Sequence, residues 1–301
     1  MPKITYSEKS LGSKSLDVIQ QANVILEEYG EKGFTLTLRQ LYYQFVARGM
    51  IENTERDYKR LGVIVNDGRM AGLIDWDHLV DRTRQLRSLT HWESVSEILE
   101  SCAPEYCLDR WQDQDYAVEC WVEKDALLGV VEAACKPLDV PYFSCRGYTS
   151  ASEMWQAAQR IKDYIESERT PVVLHLGDHD PSGLDMSRDI EERLETFIRT
   201  DLGLDSIPLV FHRIALNMEQ IRELNPPPNP AKNTDTRFDD YRRKYGDESW
   251  ELDAIPPERI VSLIEEHVEP FIDRARWSQT AQEEAEGREQ LHELAEGHAH
   301  A

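Results

Sequence analysis

The run from Pro171 to Gly183 restricts this chain more than any other. Val172, Val173, Leu174 and Leu176 form a short, mostly apolar stretch bounded by Pro171 and Gly177, the pattern of a buried strand in a parallel sheet. In such sheets ligands bind just beyond the carboxyl ends of the strands. Asp178 and Asp180 emerge at that place. Side chains two apart in an extended segment point the same way, so both carboxylates can face one cavity. Pro181 then opens the next helix, where its missing N–H costs nothing. Upstream, Tyr116 to Val122 is a second β-rich run, and Glu123 holds the equivalent place at its end. Between Glu123 and Asp178 lie enough residues for two helices and a connecting strand, which predicts a multi-strand α/β sheet.

Three acids gathered at such strand ends repel one another unless a cation joins them. Hard oxygen donors select Mg²⁺, or Mn²⁺, over zinc, and Mg²⁺ completes its shell with water and substrate phosphate. The competing explanation is plain helix capping, since Asp is a common residue at strand-to-helix turns. Glu123-Lys124 and the Pro181-x-Gly183 opening favour the metal site. Between the acids, Val140 to Cys145 reads as a strand, Arg146 to Ser150 as a turn, and Ser152 to Ile165 as a helix. A turn before a helix amino terminus is a ready anion site, and a simple tight turn explains these residues equally well.

Nearer the amino terminus, Thr37 and Gln40 have the spacing of a capping box and open a helix. Leu38, Leu41, Tyr42 and Phe45 follow its apolar face, while Arg39 and Tyr43 share the other side. A second helix follows from Thr54, with Tyr58, Leu61, Ile64 and Val65 on one side and Lys59, Arg60 and Arg69 on the other. Its position, second after the Tyr43 helix, is that of a recognition helix. Residues 74–84 then alternate like a strand and end in Arg82 and Arg84, with Arg87 beyond, as a wing approaching phosphates would; solvated surface arginines explain the pattern equally well.

Glu123 after a strand, with Asp178-x-Asp180 followed by Pro181-x-Gly183, resembles the Toprim domain of topoisomerases, primases and related nucleases. The Asp-x-Asp-Pro-x-Gly form is most similar to the A subunit of topoisomerase VI and its relative that makes meiotic double-strand breaks. The resemblance spans about residues 15–275. It implies a Rossmann-like, mainly parallel Toprim sheet preceded by a small winged-helix domain whose Arg-x-x-Tyr-Tyr sequence, here Arg39 to Tyr43, carries the nucleophile. Tyr43 would then attack DNA while Tyr42 packs, Arg39 and Lys124 would steady the phosphate, and Glu123, Asp178 and Asp180 would hold one or two Mg²⁺. The resemblance also implies Arg146 and Gly147 as backbone-phosphate contacts. The family works as a homodimer, the tyrosine of one subunit meeting the metal of the other. Strand passage would need a separate GHKL-type ATPase subunit. Two rivals remain: a Toprim nuclease in which water attacks and both tyrosines only pack, and a non-enzymatic winged-helix scaffold.

With 301 residues, the chain is long enough for two domains. The expected division is 1–90 for the winged helix, 91–115 as linker, 116–275 for the Toprim domain and 276–301 as an acidic helical tail carrying Glu283, Glu284, Glu286, Glu289, Glu293 and Glu296. A net charge of −23 argues against general nucleic-acid binding. Residues 1–90 sum to +1, however, which leaves −23 − 1 = −24 for the remainder, so a local arginine stripe can still meet double-stranded DNA. No long apolar stretch and no signal-peptide core are present, which predicts a soluble, cytoplasmic, DNA-associated protein without membrane contact. The five cysteines contain no Cys-x-x-Cys pair and read as reduced core thiols. Asn225 to Pro230 should be an exposed extended loop. Glu251 and Asp253, in a segment of weak resemblance, are left outside the site.

Overall fold

The computed structural model describes residues 3–80, 91–231 and 234–299. Helices α1 (Ser13–Glu31), α2 (Leu38–Ala47) and α3 (Glu55–Met70) form an amino-terminal unit. Their shared core holds Ile25, Leu26, Leu41, Phe45, Leu61 and Val65. The Thr37–Gln40 capping box starts α2 as its spacing predicts.

The wing expected over residues 74–84 is not a strand in its described part, residues 74–80; Arg82, Arg84 and Arg87 lie outside the described residues. Local chemistry accounts for the difference. Asp75 accepts the backbone N–H of Asp77 at 2.9 Å and bends the chain, Ile74 is buried in the helical core, and only Leu36 and Leu79 meet in an isolated bridge.

The α/β unit contains β1 (Tyr116–Val122), α5 (Leu128–Cys135), β2 (Tyr142–Ser144), α6 (Ala151–Glu166), β3 (Thr170–Leu176), α7 (Pro181–Leu202) and β4 (Val210–Ala215). The sheet order is β2-β1-β3-β4, with every pairing parallel. Alternate residues serve opposite layers. Val118, Cys120 and Val122 pack with α5 and with the later helix α10 (Pro257–Val268), whereas Trp121 and Val173 pack with α6 and α7. Both central strands are therefore buried on both faces, mostly through apolar side chains, with Glu119 and His175 as buried polar exceptions. Val122 pairs with Leu176, so β1 and β3 end level and deliver Glu123 and Gly177-Asp178 side by side.

Residues 91–115 are more than a linker. Helix α4 (Val95–Cys102) lies against the long terminal helix α11 (Arg274–Ala299), and Trp111 enters the sheet core, donating Nε1–H to the Leu138 carbonyl at 3.0 Å. Helix α11 is not simply a solvated tail, because Trp277 and Glu284 are buried. Cys120, Cys135 and Cys145 are buried thiols, while Cys102 and Cys107 are exposed. After α8 (Met218–Leu224), the Pro-rich loop ends in β5 (Asn229–Pro230), which pairs beyond α9 (Phe238–Tyr245) with β6 (Glu248–Ser249). Among the described residues, no helix is long and apolar enough to cross a membrane.

Candidate active site at the carboxyl edge of the sheet

Glu123 and Asp178 are both buried, and Glu123 Oε2 accepts the backbone N–H of Asp178 at 2.8 Å. Burial, with Asp178 beside it, pushes the Glu123 carboxyl up to about 7. Burial also raises Asp178 above the usual carboxylate range, in spite of Lys124. Both Asp178 oxygens are engaged: Oδ1 accepts the Leu252 N–H at 2.8 Å, and Oδ2 meets Lys124 Nζ at 2.8 Å. Asp180 is the N-cap of α7, its Oδ1 accepting the Gly183 N–H at 2.6 Å and the Ser182 hydroxyl at 2.9 Å. Capping and proximity to the site thus coincide at this residue, whose charge is felt by Glu123.

The glycines of this loop have steric reasons. A Cβ at Gly183 would collide with the Asp178 carbonyl, and one at Gly177 would lie 3.0 Å from both Glu123 Oε2 and Arg213 Nη1. Arg213, on β4, is the hidden support of the loop. Its Nη2 donates to the carbonyls of Gly177 at 2.9 Å and Asp178 at 2.6 Å, and Nη1 to Gly183 at 3.1 Å. Two histidines close by are committed elsewhere. His175 Nδ1 contacts Ser187 Oγ at 2.9 Å, and His179 Nδ1 contacts Tyr241 Oη at 2.9 Å. Burial holds them down to about 3 and about 4, so both are neutral.

A second acidic segment completes the surroundings. His179 and Trp250 exchange backbone hydrogen bonds of 2.8 and 3.0 Å, which brings Glu251 and Asp253 against the loop. Lys124 Nζ lies 3.0 Å from Glu251 Oε2 and 3.6 Å from Asp253 Oδ2. From the helical unit, Arg39 pairs with Glu251 through Nη2 and with Asp253 Oδ2 through Nε at 2.9 Å. Tyr43 stands in the same group: it lines one cavity with Glu251 and Asn229, and the Arg39 guanidinium lies 5.9 Å from its ring centre. The tyrosine is only 3% exposed. Burial first, and Glu251 next, raise its proton affinity well above that of a free phenol. For Glu251 burial works the other way, but Lys124 and Arg39 outweigh it and hold that carboxyl down at about 2. A cavity of about 350 Å³ opens beside Arg39, Tyr43, Asn53, Tyr58, Asn229 and Glu251. Tyr42 turns its hydroxyl to Asn53 Oδ1 at 3.0 Å and the Thr54 carbonyl at 3.1 Å.

The basic residues expected at DNA are placed unevenly. Lys59 and Arg60 are exposed on α3, Lys59 pairing with Glu55 at 2.7 Å. Arg69 turns inward, stacks 4.2 Å from the Trp76 ring and donates to the carbonyls of Trp76 and Leu79. Arg146 is exposed and pairs with Asp125 at 3.1 Å. Sequence reasoning missed Arg213, Glu251 and Asp253. The Glu-x-Asp spacing of the last two repeats the two-residue periodicity of Asp178-x-Asp180, but nothing local ties it to the other acids.

Among the described residues, no three Asp, Glu, His or Cys side chains are already disposed to hold a metal ion. In kind, the donors do fit a hard cation. They are carboxylates, Glu123 and Asp180 use one oxygen each in the bonds described, and both Asp253 oxygens are buried without a hydrogen bond. No protein-family model matches this chain, and no curated protein matches it.

Proposed function

We propose that this chain cleaves DNA by Mg²⁺-dependent transesterification, with Tyr43 as the nucleophile. The observation that carries this reading is the cavity shared by Tyr43, Arg39 and Glu251, from which polar contacts run through Lys124 to Asp178 and Glu123. A phenol, two cations and a cluster of acids at the carboxyl edge of a parallel sheet suit phosphodiester chemistry.

Glu123, Asp178 and Asp180 would hold the divalent ion, Mg²⁺ or Mn²⁺, which when bound neutralises charge developing at the phosphate. Arg39 and Lys124 bind and orient that phosphate. As they turn to it, they release Glu251, whose carboxylate takes the proton from the phenol. The Tyr43 oxygen bonds to phosphorus as the bond to the 3′ oxygen breaks, leaving the DNA 5′ end on the protein. The amino-terminal helices would serve as a winged-helix-type DNA reader through Lys59 and Arg60. Cutting both strands takes two such sites, hence a homodimer, and strand passage would require a separate GHKL-type ATPase subunit.

Tyr43 burial favours one alternative, hydrolysis by water in which the tyrosine only packs. Incubation with DNA and Mg²⁺, followed by a denaturing gel, separates the two. Transesterification predicts DNA bound covalently to protein and no adduct from Tyr43→Phe. Normal cleavage by Tyr43→Phe without any adduct supports hydrolysis, and no cleavage by the wild-type protein refutes both.

A further inference from the structure

The Lys124 ammonium is ringed by three carboxylates. Asp178 Oδ2, Glu251 Oε2 and Asp253 Oδ2 lie 2.8, 3.0 and 3.6 Å from its nitrogen. The acids are anchored: Asp178 by Arg213 and the Leu252 N–H, and Asp253 by its neighbours Leu252 and Ala254, both in core packing. The cations sit on longer and more exposed side chains, 45% for Arg39 and 20% for Lys124.

Asp253 is the telling residue. Its side chain is 0% exposed, and neither oxygen has a hydrogen-bond partner. Arg39 Nε comes within 2.9 Å of Oδ2, but as a Coulombic neighbour rather than a hydrogen-bond donor. A buried carboxylate without donors is costly, and in a folded protein such a group calls for an explanation such as a bound ion.

We infer that Asp178, Glu251 and Asp253 form a divalent-cation seat in which the Lys124 ammonium is a resident stand-in. The seat is separate from the Glu123 and Asp180 donors and shares only Asp178 with them; it rests on the proposed cleavage reaction through that acid and through Lys124 and Glu251, which serve both. Its all-carboxylate lining selects a hard ion of the Mg²⁺ or Mn²⁺ class. Mg–O distances are ~2.1 Å, so the ring must contract by roughly 1 Å as an ion replaces the ammonium. Entry of the ion sends Lys124 out of the ring, free to meet a phosphate, so cation loading and phosphate binding reinforce one another.

The test is calorimetric titration of Mn²⁺ into the full chain without DNA, with near-ultraviolet circular dichroism to verify folding. Loss of a ligand or its support costs about 10–100-fold in metal affinity. Asp253→Asn should weaken one binding event by at least about tenfold, and Lys124→Met should tighten the same event. Unchanged binding in Asp253→Asn, or weakened binding in Lys124→Met, overturns the seat. If Asp253→Asn does not fold, Glu251→Gln must show the same tenfold loss or the seat is refuted. Asp180→Asn separates the two proposals, because it should spare the Asp253-dependent event. Asp253-dependent Mn²⁺ binding in a protein that cleaves no DNA leaves the seat standing and removes the cleavage reaction.

Discussion

Glu123 Oε2 accepts the backbone N–H of Asp178 at 2.8 Å, bringing the ends of two neighbouring strands together through one carboxylate. The same oxygen lies where a Cβ on Gly177 would crowd it. The acid is therefore a structural tie as well as a candidate ligand, and its titration is coupled to folding.

That coupling predicts a pH dependence. The folded-state pKa of Glu123 is raised to about 7 by burial and by Asp178. A carboxyl raised in this way binds its proton more tightly when folded. Its contribution is therefore fully present below the unfolded value near 4.5 and is lost as pH rises towards 7, on the order of 3 kcal/mol in all. Thermal melts in chelator should show stability falling over this window in the wild type. Glu123→Gln should flatten the trend, and an equal slope in both proteins would contradict it.

Gly183→Ala places a methyl group against the Asp178 carbonyl, a backbone atom held by Arg213. Overpacking of this kind costs about 1–3 kcal/mol. Urea denaturation should reveal that loss, and the proposed DNA cleavage should fall with it because the Asp178 loop must shift.

Arg213→Met removes the donors to three carbonyls, those of Gly177, Asp178 and Gly183. Each buried orphan costs about 1–3 kcal/mol, offset in part by relief of a buried charge. A net loss of at least about 2 kcal/mol is expected from denaturant titration. A neutral result would mean that the loop holds its shape without Arg213.

Trp111→Ala tests whether residues 103–115 belong to the folded core. The indole is buried against the sheet core and bonds to Leu138, so truncation should cost about 3–5 kcal/mol. A change below about 1 kcal/mol would restore the view of this segment as a mere connector.

Several features were legible from neighbouring residues alone. The capping box of α2, the buried β1 and β3 strands, the level of the two acids at their ends and the Pro181 start of α7 each depend on contacts a few positions apart or on alternation along one strand. Such local rules act before any tertiary contact forms. The described part of the expected wing departs from a strand at the same scale, because an Asp75 turn and the burial of Ile74 override the alternation of residues 74–80.

Arg213, Glu251 and Asp253 lay beyond local rules. Arg213 finds its carbonyl partners 30, 35 and 36 positions away, and Asp178 meets the Leu252 N–H at a separation of 74. The amino-acid order thus determined strands, caps and the two acidic turns, since these follow from backbone geometry and side-chain periodicity. Packing decided which distant charges share one site: only after the sheet closes and His179 pairs with Trp250 do Lys124 and Arg39 face Glu251 and Asp253, and only burial makes those pairings strong.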